Sequence, residues 1–163
     1  MLAELRARGH PAVLVIAGEA TPGAGGYAAA LRTSAARLGV ARDVRFVGAL
    51  SRPALADLLA VASVTIVPSY TETFGLVALE SAASGTPVLG FRGTGLVESV
   101  AQGKSGLLVD SWDPAVWAQA AAGILDDTAL AARLSASARL HALDFTWPVS
   151  AAALLGIYAS LLA

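Results

Sequence analysis

A chain of 163 residues holds one ordinary domain with a real core and is too short for two. Its formal charge is -1 with 14% charged residues, which excludes the basic footprint of a nucleic-acid binder. It has no cysteine and no asparagine, which excludes disulfides, thiolate metal sites, cysteine nucleophiles and N-glycosylation; a reduced, cytoplasmic setting is compatible.

Leu2 and Leu5, followed by Gly9, His10 and Pro11, read as the last turns of a helix and its end. Residues 12–17 form a compact apolar run, the pattern of a strand buried on both faces in a parallel sheet. Arg6 and Arg8 before that run superficially resemble a secretory signal, but the run is short and Glu19 follows at once, so a helix tail and strand are expected. Residues 18–26 are a Gly/Pro-rich loop, and 27–38 a helix closed by Gly39. The unit then repeats: a strand at 44–47; a helix opened by Ser51 as N-cap with Pro53 just inside; a strand at 64–67; a helix at 75–84 ended by Gly85. A strand at 87–91, a helix at 96–102 and a strand at 106–109 follow, and then three helices at 115–125, 129–143 and 149–162.

Strands alternating with helices of this length predict an α/β fold: a parallel sheet with helices on both faces and a helical C-terminal tail. No run of about 18 apolar residues could span a bilayer; the nearest, 149–163, is short and carries Ser150 and Ser160. That leaves peripheral membrane contact open. Ligands of such sheets sit at the carboxyl ends of the strands, which places residues 68–74 and 92–95 on one functional edge.

Several motifs fail on inspection. Gly103-Lys104-Ser105 imitates the end of a P-loop, but the required first glycine falls at Glu98. Gly23, Gly25 and Ala28 match G-x-G-x-x-A, yet the loop is too long for a tight dinucleotide turn and no acidic residue ends the next strand. His10 and His141 belong to no metal or triad spacing, there is no G-x-S-x-G elbow, and both read as structural or surface residues. Trp112, Trp117 and Trp147 read as packing anchors of the helical tail.

The segment PSYTETFGLVALESAASGTP, residues 68–87, stands apart. It joins a β-branched run to a helix through a loop carrying Glu72 and then, after seven residues, Glu80. A helix starting at Gly75 points the free N–H groups of Phe74, Gly75, Leu76 and Val77 toward the strand edge, where dipole and hydrogen bonding favour an anion. Gly75 lets a phosphate or sugar approach the backbone closely. Glu80 leans back toward that end, since helical side chains point N-terminally. Two acceptors with amides between them suit a sugar nucleotide. The plainer alternative is that Glu72 favours the helix dipole and Glu80 is a solvated helix residue.

The run VPSYTETFGLVALESAASGTPVLG, continuing through GTGLVESVAQGKSGLLVDSWDP, resembles the signature of retaining glycosyltransferase family 4, with its E-x7-E motif at Glu72 and Glu80. The likeness runs from VLVIAGEA to the tail HALDFTW…LLGIYASLL, and within that family the chain looks most like the actinobacterial enzymes that attach N-acetylglucosamine to inositol phosphate in mycothiol synthesis. The resemblance implies the donor half of a two-domain GT-B fold: a Rossmann-like nucleotide-sugar-binding domain at 1–145, lacking its first strand, and a C-terminal helix at 146–163. By the same resemblance Glu80 binds the ribose hydroxyls and Glu72 is the catalytic residue touching the donor sugar. The amides of Phe74, Gly75, Leu76 and Val77 hold the sugar and diphosphate, and the loop around Leu50 meets the base.

The implied donor is UDP-N-acetylglucosamine, with no cofactor and no metal, and no D-x-D motif is present. The family's basic diphosphate clamp and its acceptor domain have no counterpart: Arg92 lies on the right edge without matching the motif, and Lys104 lies in the wrong segment. An N-terminal acceptor domain or a partner chain is therefore the expected complement. The absent strand is central in that family's sheet, so either a gap opens or residues 12–17 pair directly with 64–67. The isolated chain is then expected to be inactive and marginal, associating through exposed apolar surface. Two rival functions are a non-catalytic sugar-nucleotide module or half of a split enzyme, and a UDP-sugar epimerase, which the two-glutamate signature and helical tail fit less well.

Overall fold

A computed structural model describes residues 1–19 and 26–162. The chain opens with α1 (Leu2–Ala7), then β1 (Leu14–Ala17), α2 (Gly26–Arg37), a 3-10 turn at Ala41–Asp43, β2 (Val44–Gly48) and α3 (Arg52–Val61). Then come β3 (Thr65–Val67), α4 (Leu76–Ala83), β4 (Val88–Phe91), α5 (Leu96–Ser99) and β5 (Gly106–Val109). Three helices close it: α6 (Pro114–Asp126), α7 (Thr128–Ala142) and α8 (Trp147–Leu161). The Gly23 and Gly25 positions of the rejected dinucleotide motif lie outside the described residues.

Local chemistry accounts for the boundaries. Ser51 caps α3 by accepting from the Ala54 amide at 3.4 Å, with Pro53 in the first turn. Asp113 and Asp127 cap α6 and α7 in the same way, at 2.9 and 2.8 Å. Helix α5 is shorter than the expected 96–102. Val100 turns extended, and a tight loop takes over in which Ser105 Oγ accepts from the Ala101 amide at 2.8 Å and Gln102 Oε1 accepts from the Leu108 amide at 2.6 Å.

All strand pairs are parallel, but among the described residues they form two sheets, β1-β2 and β3-β4-β5, with no ladder between β1 and β3. The direct pairing of residues 12–17 with 64–67 is therefore not formed.

The three-stranded sheet is covered on both faces. Leu89 and Val109 pack on one side against Leu5 of α1 and Trp117, Ala118 and Ala121 of α6. Val67 and Val88 pack on the other against Ala78 of α4 and Leu96 of α5. Among the described residues the two-stranded sheet is covered on one face only. Leu14 and Val44 meet Leu2, Ala35 and Val40, while Val13 and Val15 are exposed. The expectation of burial on both faces fails for β1 because, among the described residues, its apolar run has no covering element on that second side. Helix α1 ties the two parts together, placing Leu2 in one cluster and Leu5 in the other.

The late helices are less uniform. The tryptophans divide: Trp117 is a buried anchor whose Nε1 donates to the Ser111 carbonyl at 2.6 Å, Trp112 sits on a strand-end loop, and Trp147 is 89% exposed and anchors nothing. Among the described residues no single helix is long and apolar enough to cross a membrane; α7 and α8 meet at 51°.

Candidate functional site

Glycine geometry makes the loop between β3 and α4. Gly75 caps α4 in the left-handed region, φ +89°, where an L side chain is strained, and a Cβ there would overlap Leu96 and come within 3.1 Å of Ser99 Oγ. The loop after β4 closes on it: the Gly95 amide donates to the Glu72 carbonyl at 2.8 Å, and a Cβ on Gly95 would overlap the Thr73 carbonyl. The two loops expected to share an edge are thus in backbone contact.

Between them lies an open cavity of about 410 Å³ lined by Tyr70, Thr71, Glu72, Thr73, Gly93 and Thr94. Glu72 is half-buried in its wall, and its Oε1 accepts from the Thr73 amide at 3.1 Å, which holds the carboxylate close to its own backbone. At the α4 N-terminus the Ala78 amide donates to the Gly75 carbonyl at 2.9 Å. The amides of Leu76 and Val77, one residue further forward, are the positions a helix leaves without intrahelical partners.

Glu80 is exposed and does not line the cavity. It shares the outer face of α4 with Leu76, one turn ahead, while Ala78, Ser81 and Ala82 face the core. That spacing directs its carboxylate back along the helix toward the N-terminal end. Phe74 is half-buried against Phe145, with centroids 5.8 Å apart, so the loop is braced from the α7–α8 break. Leu50 follows β2, at the carboxyl end of the other sheet, and is not part of the cavity wall.

The histidines are structural. His141 Nε2 lies 3.1 Å from the Ser99 carbonyl, and His10 pairs with Asp126 at 3.6 Å. A second open cavity, about 580 Å³, lies between α7 and the β5 approach, beside Lys104, Ser137, His141 and Asp144. Tyr70, Thr71, Thr73, Gly93 and Thr94 carry no motif of their own; only their places at two neighbouring strand ends point to them.

Residues 1–141 match the family described as glycosyl transferases group 1. A relative in Thermobispora bispora, a D-inositol 3-phosphate glycosyltransferase, is 45% identical over 157 residues, covering 95% of this chain and 36% of its own length. The chain spans between 28% and 36% of the length of the curated relatives it matches. Among solved structures, sucrose-phosphate synthase from Thermosynechococcus elongatus superposes with a TM-score of 0.83 at 32% identity, over 99% of this chain and 41% of that one. Anabaena HepE in complex with UDP-glucose superposes at 0.79 with 26% identity, over 86% of this chain and 39% of that one. With the family matched over most of its length and parallel sheets layered by helices as in its GT-B neighbours, this chain belongs to the group 1 glycosyltransferases.

Proposed function

We propose that this chain is the donor-binding part of a retaining glycosyltransferase that moves N-acetylglucosamine from UDP-N-acetylglucosamine to a hydroxyl of an inositol phosphate. The observation that carries the reading is the cavity at the carboxyl ends of β3 and β4, walled by Glu72 and opening beside the α4 N-terminus. In this reading Glu72 accepts from the donor sugar's hydroxyls and Glu80 from the ribose. The amides from Phe74 to Val77, with the helix dipole, stabilise the departing diphosphate in place of a metal. Leu50 meets the base through its backbone. The acceptor is suggested by the name of the inositol phosphate relatives, and the donor class by the HepE complex with UDP-glucose. A chain without cysteine suits a cytoplasmic setting.

Calorimetry with UDP, GDP and ADP tests the nucleotide. UDP is expected to bind at least about tenfold more tightly than the other two, a difference of about 1.4 kcal/mol. Equal binding of all three would overturn the uridine assignment.

The break between β1 and β3 favours a second reading, in which the chain is a sugar-nucleotide module or half of a split enzyme completed by another segment. It would then bind UDP without turnover, and transfer would return only on adding the complementary half.

A further inference from the structure

Three aromatic side chains from three different strand ends meet at the cavity rim. Tyr70 follows β3, Phe91 ends β4 and Trp112 follows β5, and the strand order β3-β4-β5 sets these ends side by side. Tyr70 stacks on Trp112 with centroids 4.2 Å apart and planes 21° apart. Trp112 in turn meets Phe91 at 3.9 Å and 32°. The stack holds one face of the tyrosine ring and leaves the other open: Tyr70 is 80% exposed, Trp112 40%. Core packing does not explain an aromatic ring held in water by two others.

The same ring lines the cavity with Glu72, and the remaining wall is made of the Thr71, Thr73 and Thr94 residues and the bare backbone of Gly93. Hydroxyls and a carboxylate beside a flat apolar face are complementary to a pyranose, which carries hydroxyls around its rim and C–H bonds on its faces. We propose that the open face of Tyr70, braced by Trp112 and Phe91, stacks on the pyranose ring of the donor. This rests on the donor-site reading above. Tyr70 is a binding residue, and Trp112 a positioning residue that acts through it.

The test is calorimetry of UDP and UDP-N-acetylglucosamine on the wild-type chain, Tyr70→Ala, Tyr70→Phe, Trp112→Ala and Trp112→Phe. Tyr70→Ala is expected to weaken the sugar nucleotide about two- to tenfold, the range of an aromatic stacking contact, and to leave UDP unchanged. Tyr70→Phe and Trp112→Phe keep the platform and the wild-type preference. Trp112→Ala loses that preference while its UDP affinity reports an intact site. Because Tyr70 is exposed, its variants leave the core untouched. Equal weakening of both ligands by Tyr70→Ala would mean that the ring stacks on the base or shapes the loop, and would overturn the inference. No weakening of either would overturn it too, with the donor site standing. Failure of the wild type to bind either ligand would overturn the donor-site reading and this inference with it.

Discussion

Gly95 is the residue on which the site's shape turns most directly. The hydrogen bond its N–H donates to the Glu72 carbonyl and its missing side chain let the β3 and β4 loops lie in backbone contact. Gly95→Ala is expected to push Thr73 away, to cost about 1–3 kcal/mol in urea unfolding, and to weaken UDP-sugar binding. Unchanged stability and binding would contradict the contact. Glu72 and Glu80 stand out in the residue order through their match to the E-x7-E motif, since helix geometry alone leaves the plainer reading open. Tyr70 and Trp112 do not, since residues 42 positions apart share no local period and only the strand order brings them together.

At the scale of elements, α4 depends on α5. Leu96 is fully buried, sits under Gly75 at the start of α4 and packs with Val67, Ala78 and Val88. Leu96→Ala should open a cavity beneath the site and cost about 2–5 kcal/mol, with chemical denaturation as the check. A loss under about 1 kcal/mol would show that the core closes over the gap. Caps and glycines make most helix ends readable, as at Ser51, Asp113 and Asp127. The short α5 escapes such reading because its end is set by the side chains of Gln102 and Ser105 reaching across the turn to the Leu108 and Ala101 amides. The one-sided burial of β1 escapes it as well: an apolar run reports affinity for a core, not whether a second covering layer is present.

At the scale of the whole molecule, two apolar surfaces have no cover among the described residues. Val13 just before β1 and Val15 on it are exposed, and no residue of α8 is buried although Leu154, Leu155, Ile157 and Leu161 all lie on it. Such a helix gains nothing from its apolar side chains unless another surface meets it. The isolated chain is therefore expected to self-associate, seen as scattering mass that rises with concentration, and to melt irreversibly. A reversible, cooperative melt by a monomer would contradict this. The alternation that predicts an α/β fold holds from β1 to α6, whereas the split into two sheets bridged by Leu2 and Leu5 of α1 follows from which strands have neighbours.

The central proposal is that the α4 end of this chain holds a sugar nucleotide, with Glu80 accepting from the ribose and Glu72 from the donor sugar. Its most direct test is UDP calorimetry on wild type and Glu80→Ala. Loss of a charged hydrogen-bond acceptor to the ribose predicts affinity weakened about tenfold or more, with the fold intact because Glu80 is exposed. Equal binding by the two proteins would contradict it.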